Sequence, residues 1–271
     1  MNNGGKIVAS ILMLVVNFAW AQEKDINLFT VPLSNPESAG KLVIDQISGS
    51  ILVEAYEGKE VIVKASFGNE RQHDGGPSEY QGMKRVKSSS LSISAEEKNN
   101  VVQIINEQWN EVTDFEIKVP RNFSLKLSTV NEGNIEVKGV NGEMEISNVN
   151  GAITLESVSG SASADTVNGD VKVSFNSIAK DANMAFSSLN GDVDVTFPSS
   201  LKADVKAKSD MGEIFTDFDM LVSANKPEVR EKTSSGSYKV KIEQWVHGKI
   251  NGGGPEMLFK SFNGNILIRS K

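Results

Sequence analysis

Between Val130 and Val173 glycine returns every nine residues, at Gly133, Gly142, Gly151, Gly160 and Gly169. The same phrase surrounds each one, as in Val140-Asn141-Gly142-Glu143-Met144-Glu145-Ile146 and Val149-Asn150-Gly151-Ala152-Ile153-Thr154-Leu155. A fixed period of this kind predicts stacked repeats, none of which buries its apolar face alone. Within a repeat, apolar and polar residues alternate, the mark of a strand with one buried face. Met144 and Ile146 are expected inward, Glu143 and Glu145 outward. Nine is odd, so unbroken alternation would turn the next repeat inside out. The pairs Ser147-Asn148, Glu156-Ser157 and Asp165-Thr166 read as two successive non-core residues that restore the parity. With the Asn-Gly or Ser-Gly that follows, they mark bends where glycine and asparagine tolerate positive φ. The structural turn residues are accordingly Asn141, Gly142, Asn150, Gly151, Gly160, Asn168, Gly169, Asn190, Gly191, Gly212, Asn263 and Gly264.

Every second glycine gives Gly133, Gly151 and Gly169, and the series extends to Gly191 and Gly212. The predicted fold is all-β, a β-solenoid of short strands with Asn-Gly corners and about 18–22 residues per two-strand rung. Stacking would align Ile135, Ile153, Val171, Val193 and Ile214 in one inner column, and Val137, Leu155, Val173 and Val195 in a second. Ala162 and Ala164 thin the opposite sheet, a gap for Phe175 or Phe186 to fill. Asn150, Asn168 and Asn190 would form a hydrogen-bonded ladder, which stabilises stacked strands.

The rest of the chain also reads as strands. Residues 22–40 form an extended lead-in and 41–271 a single domain, divided into an N-terminal β-meander cap (41–129) and the repeats (130–271). Glu57-Gly58-Lys59 is a hairpin-type turn signal between Ile51–Tyr56 and Val61–Ala65. A cap is expected because the open end of a stacked sheet invites edge-to-edge association. Two long polar interruptions, 67–90 and 219–237, break the pattern, and almost nothing has helical periodicity.

Residues 1–21 have the form of a signal peptide: Lys6, the apolar run Ile7 to Phe18, then Ala19-Trp20-Ala21. The run is twelve residues long, short of the roughly 20 needed to span a bilayer. Cleavage near Ala21-Gln22 is expected, with an extracytoplasmic mature chain (periplasmic, outer-surface or secreted) lacking a transmembrane segment. The sequence has no cysteine, which excludes disulfides, a thiol nucleophile and cysteine-held metals. Its formal net charge of −7 argues against a nucleic-acid partner.

No catalytic signature stands out. His73 and His247 are far apart and lack metal-ligand spacing, and neither a nucleophile elbow nor a P-loop is present. Calcium-binding nonapeptide arrays carry a regular aspartate, whereas only Gly169-Asp170 and Gly191-Asp192 do so here. Glu143, Glu145, Asp170, Asp192 and Asp194 read first as a solvated acidic face, with loose cation binding as the alternative. A polysaccharide-acting site would place Asp192 and Asp194 on one outward face with Thr154 and Lys172. Alternating surface charge gives the same pattern without catalysis. Loops on a rigid scaffold often carry recognition. The first interruption holds Arg71, His73, Tyr80, Lys84, Arg85 and Lys87, and the second Lys226, Arg230 and Lys232. Trp109 and Trp245 read as packing residues or as platforms for sugar rings.

Three signatures resemble the bacterial toastrack family of candidate adhesins. They are Val119-Pro120-Arg121-Asn122-Phe123-Ser124-Leu125-Lys126-Leu127, its echo Phe197-Pro198-Ser199-Ser200-Leu201-Lys202-Ala203, and the ending Asn263-Gly264-Asn265-Ile266. The resemblance spans roughly Lys41 to Lys271 and implies an extracytoplasmic β-solenoid, with adhesion or envelope-stress sensing suggested for relatives. The functional expectation is a non-enzymatic envelope or surface protein that binds a protein or glycan and needs no cofactor. The alternatives are an envelope-stress sensor or assembly partner, and a polysaccharide hydrolase or lyase.

Overall fold

The computed structural model describes residues 26–67, 93–107, 111–223 and 245–271. The described residues form strands and turns without a helix, in two ladders joined by strands that run around the corners between them.

The first ladder runs β1 (Ile26–Pro32), β4 (Glu60–Phe67), β7 (Thr113–Pro120), β3 (Ile51–Tyr56) and β9 (Ile135–Lys138). It continues through the first half of β11 (Ile153–Asn168), then β12 (Val171–Ile178), β14 (Val193–Phe197), β20 (Ile266–Ser270) and β16 (Ile214–Thr216). The second ladder starts with β5 (Ile93–Lys98), β6 (Val101–Asn106), β2 (Gly40–Asp45), β8 (Phe123–Thr129) and β10 (Asn141–Asn150). The second half of β11 follows, then β13 (Met184–Asn190), β19 (Glu256–Asn263), β15 (Ala203–Ser209), β18 (Val246–Ile250) and β17 (Met220–Ser223). The fold is a β-solenoid. Its central strands pair in parallel, and antiparallel strands close both ends of the second ladder and the β1 end of the first.

The inner columns follow the glycine spacing as far as β14: Ile135, Ile153, Val171 and Val193 are in register, as are Val137, Leu155, Val173 and Val195. There the expected order changes. Val193 is opposite Ile266, and Ile266 is opposite Ile214, so the last strand of the chain lies between two earlier ones. β19 does the same between β13 and β15. The whole C-terminal rung is spliced into the stack, one strand from the end of the first ladder and three strands from the end of the second.

The N-terminal end repeats this arrangement. β2 lies between β6 and β8, and β3 between β7 and β9. Residues 40–56 are therefore a rung of the solenoid, and the cap is not a meander of neighbouring hairpins. The turn at Glu57-Gly58-Lys59 joins strands that do not pair, because β7 separates β3 from β4. Ladder positions of this kind depend on contacts remote in sequence, which local turn signals do not encode.

The core is one continuous cluster. Met144 and Ile146 are buried, while Glu143 and Glu145 are exposed. Along an inner column of the second ladder, Ile146, Ala164, Phe186, Phe259 and Ala207, two adjacent phenylalanines are flanked by alanines. Phe186 follows Ala164, and Phe175 approaches Phe186 edge-on at 6.3 Å, so both rings occupy the space beside the alanines. Phe197 stacks on Phe175 at 5.3 Å, and Phe259 on Phe186 at 5.6 Å. Each of these four rings is fully buried, a burial that contributes roughly 2–3 kcal/mol apiece.

One corner repeats through the stack in three parallel columns. Outside, asparagine amides donate to the next asparagine carbonyl: Asn150 to Asn131 (3.0 Å), Asn168 to Asn150, Asn190 to Asn168, and Asn263 to Asn190 (each 2.8 Å). At the bend, a Cβ on Gly151, Gly169, Gly191, Gly264 or Gly212 would lie 2.0–2.3 Å from the carbonyl oxygen of the glycine in the adjacent rung. Close backbone approach, and not positive φ, excludes a side chain there, since none of these five has the left-handed conformation. Inside, Thr166, Ser188, Ser261 and Ser209 donate to the carbonyls of Gly151, Gly169, Gly191 and Gly264 at 2.7–3.0 Å. Asn148 and Thr166 are thus buried, although their pairs read as non-core; the Thr166 hydroxyl and the Asn148 Nδ2 each donate to a glycine carbonyl, while Asn148 Oδ1 is buried without a partner. The opposite corner differs. Gly142 and Gly160 pair within continuing strands, and the backbone bends there through positive φ at Ser157 (54°) and Gly160 (104°).

Candidate functional site

Arg71, His73, Tyr80, Lys84, Arg85 and Lys87 lie outside the described residues, as do Trp109, Lys226, Arg230, Lys232 and the N-terminal leader. The described strands flanking these interruptions are located. β4 and β5 border the first and stand at the N-terminal end of the stack; β17 and β18 border the second and stand at the C-terminal end.

On the outward face of the first ladder, strand alternation and register place Lys64, Glu116, Leu52, Glu136, Thr154, Lys172, Asp194, Leu267 and Phe215 in one row. Charges in this row and the next pair with one another. Lys64 reaches both carboxylate oxygens of Glu116 at 2.8 and 2.9 Å, and Lys138 lies 3.7 Å from Glu136 and 3.9 Å from Glu54. Thr154, Lys172 and Asp194 share the row, but Asp192 does not join them. Its Oδ1 accepts the backbone N–H of Asn265 at 2.7 Å, while Asp194 accepts from Arg269 Nε at 2.7 Å. That hydrogen bond, then the charge of the same carboxylate, raises the Arg269 guanidinium above its ordinary value. The two aspartates are committed to separate structural contacts.

Asp170 has the same role as Asp192, accepting the Asp192 N–H at 2.8 Å. Asn134 and Asn265 accept in the same way from Ala152 and Glu213. The sequence signal for this column was the Asn or Asp immediately after glycine. Among the described residues no group of three His, Asp or Glu side chains is placed to hold a metal ion.

The second outward face holds a grouping that sequence reading missed. Lys206 and Lys208 project from β15 with their ammonium groups 4.7 and 5.9 Å from the centre of the Trp245 ring. Lys260 of β19 stands opposite Lys208, and His247 of β18 opposite Lys206. His247 and Trp245 were visible singly; only the antiparallel return of β18 onto β15 brings them to the lysines. Trp245 is half-buried and serves as a contact for cations.

Compared with known proteins, residues 122–251 match the family model described as Toastrack DUF4097. The match runs from β8 to β18, narrower than the resemblance read from the sequence, and leaves the two spliced-in rungs outside or at its border. No curated protein matches the chain. Among solved structures, the chain is similar to a candidate cell adhesion protein from Clostridium sporogenes ATCC 15579, at 14% identity and a TM-score of 0.48, covering 92% of this chain and 100% of that one. It is also similar to a candidate adhesin from Bacteroides fragilis NCTC 9343, at 10% identity and a TM-score of 0.36, covering 92% and 98%.

Proposed function

Taking residues 122–251 as a toastrack domain, we propose that the chain is an exported, non-enzymatic binding scaffold of the cell envelope, adhesin-like in role. The observation that carries this reading is the pinned stack. Both spliced-in rungs are held between neighbours on each side. Outward side chains are thereby fixed in rows about 4.8 Å apart from strand to strand. A surface ordered in advance loses little conformational freedom when an extended partner settles on it. The apolar leader supports export.

The test has two parts. Cell fractionation with mass analysis should recover an extracytoplasmic chain beginning at Gln22. That chain should then bind isolated envelopes of its own organism saturably. A cytoplasmic chain retaining Met1, or only linear non-saturable uptake, would contradict the reading.

A further inference from the structure

The outward face of the second ladder is acidic on its middle strands and basic toward its C-terminal end. Glu143, Glu145 and Asp165 stand on β10 and β11, whereas Lys206, Lys208, Lys260, His247 and Lys249 stand on β15, β19 and β18. Between Glu145 and Lys206 the row runs Ser163, Ala185 and Leu258, and Ser187 stands between Asp165 and Lys260.

At the basic end, register sets like charges side by side. Lys208 is directly opposite Lys260, on strands about 4.8 Å apart, and such pairing is destabilising. The first ladder shows that this fold accommodates the opposite solution, since Lys64 faces Glu116 and Lys172 faces Asp194. The basic end is therefore a local departure that the fold itself does not require. Trp245 attracts the Lys206 and Lys208 ammonium groups through its ring face and so positions both. Nearby carboxylates engage other cations: Asp210 holds Lys208 at 3.0 Å, and Asp204 lies 3.5 Å from Lys249. Glu256 is opposite Asp204, four residues along β19 from Lys260.

We propose that this end of the face binds an anionic polysaccharide of the envelope, its acidic groups set against Lys206 and Lys260. The proposal rests on the envelope-binding reading above and names the class of ligand. A glycan with widely spaced charges suits the site better than nucleic acid. Duplex DNA carries one negative charge per roughly 1.7 Å, and the net charge of −7 repels so dense a polymer.

The experiment compares the purified protein with its Lys206→Gln/Lys260→Gln variant, whose thermal unfolding is measured in parallel to confirm an intact fold. Polygalacturonate is the anionic probe; neutral dextran and duplex DNA are the comparisons. The expected result is binding of polygalacturonate at low salt, at least tenfold weaker in the variant, abolished for both at high salt, and absent with dextran. No binding by the unaltered protein, equal binding by the folded variant, or DNA bound as tightly as the glycan would overturn it. Envelope binding by both proteins separates the two readings. If the variant binds envelopes as well as the parent does, the scaffold role stands and this site falls. If neither binds envelopes but polygalacturonate binding is lost in the variant, the site stands and the scaffold role falls.

Discussion

The middle of the stack and its two ends reach the same cross-section by different routes. From β8 to β14 each rung lies beside the rung next to it in sequence, at 18- to 22-residue steps, so Asn150, Asn168 and Asn190 meet in order. At the ends, rungs 40–56 and 256–270 are inserted between strands from remote parts of the chain. Asn263 of the last rung then donates to Asn190, 73 residues away. Local repetition can extend a solenoid indefinitely; inserting the terminal rungs pins both ends of this one. An end rung paired on one side only would fray more readily than one held on both.

This contrast predicts its own largest effect. Removing residues 256–271 deletes the partner shared by β13 with β15 and by β14 with β16. The truncated chain is expected to lose its cooperative thermal transition; a transition close to that of the full chain would show that the splice is dispensable.

Next in size is Gly151→Ala. The added Cβ would lie 2.0 Å from the Gly133 carbonyl oxygen, and the cost expected from urea unfolding is about 3 kcal/mol. A change below about 0.5 kcal/mol would mean that rungs separate easily at the corner.

Thr166→Val keeps the side-chain shape but removes the buried hydroxyl donor to Gly151, with an expected loss of about 1–2 kcal/mol. Asn168→Ala breaks two exposed ladder bonds, to Asn150 and from Asn190. Water replaces much of what is lost there, so about 0.5–1 kcal/mol is expected. If the order of these two were reversed, the ladder and not the inner hydroxyl column would govern the corner.

The same comparison explains what could be read from the sequence. The glycine period, the alternation of Met144 and Ile146 with Glu143 and Glu145, and the asparagine ladder are properties of neighbouring repeats, and the sequence displays them directly. The position of β20 between β14 and β16 is not, because the Asn263-Gly264 phrase looks the same wherever its rung docks. Asn148 and Thr166 were misread for a different reason. Their polarity suggested solvent, yet a column of glycine carbonyls at the inner bend makes a buried donor favourable. For the candidate sites, Asp192 and Asp194 share a short stretch of sequence, but one falls in a turn and the other in a strand. The lysine cluster at Trp245 depends on β18 returning to β15, across a chain separation that no spacing rule reports.

Insertion of the last rung is tested most directly by disulfide trapping, since the chain has no cysteine of its own. Ser187 of β13 is in register with Lys260 of β19, and Lys260 with Lys208 of β15. Neighbouring strands bring Cα atoms to about 4.8 Å, within the span of a disulfide; two strands apart the separation is about 9.6 Å, beyond it. Ser187→Cys/Lys260→Cys should therefore cross-link under mild oxidation, and Ser187→Cys/Lys208→Cys should not. Efficient cross-linking of the second pair without the first would place β15 directly against β13 and contradict the spliced order.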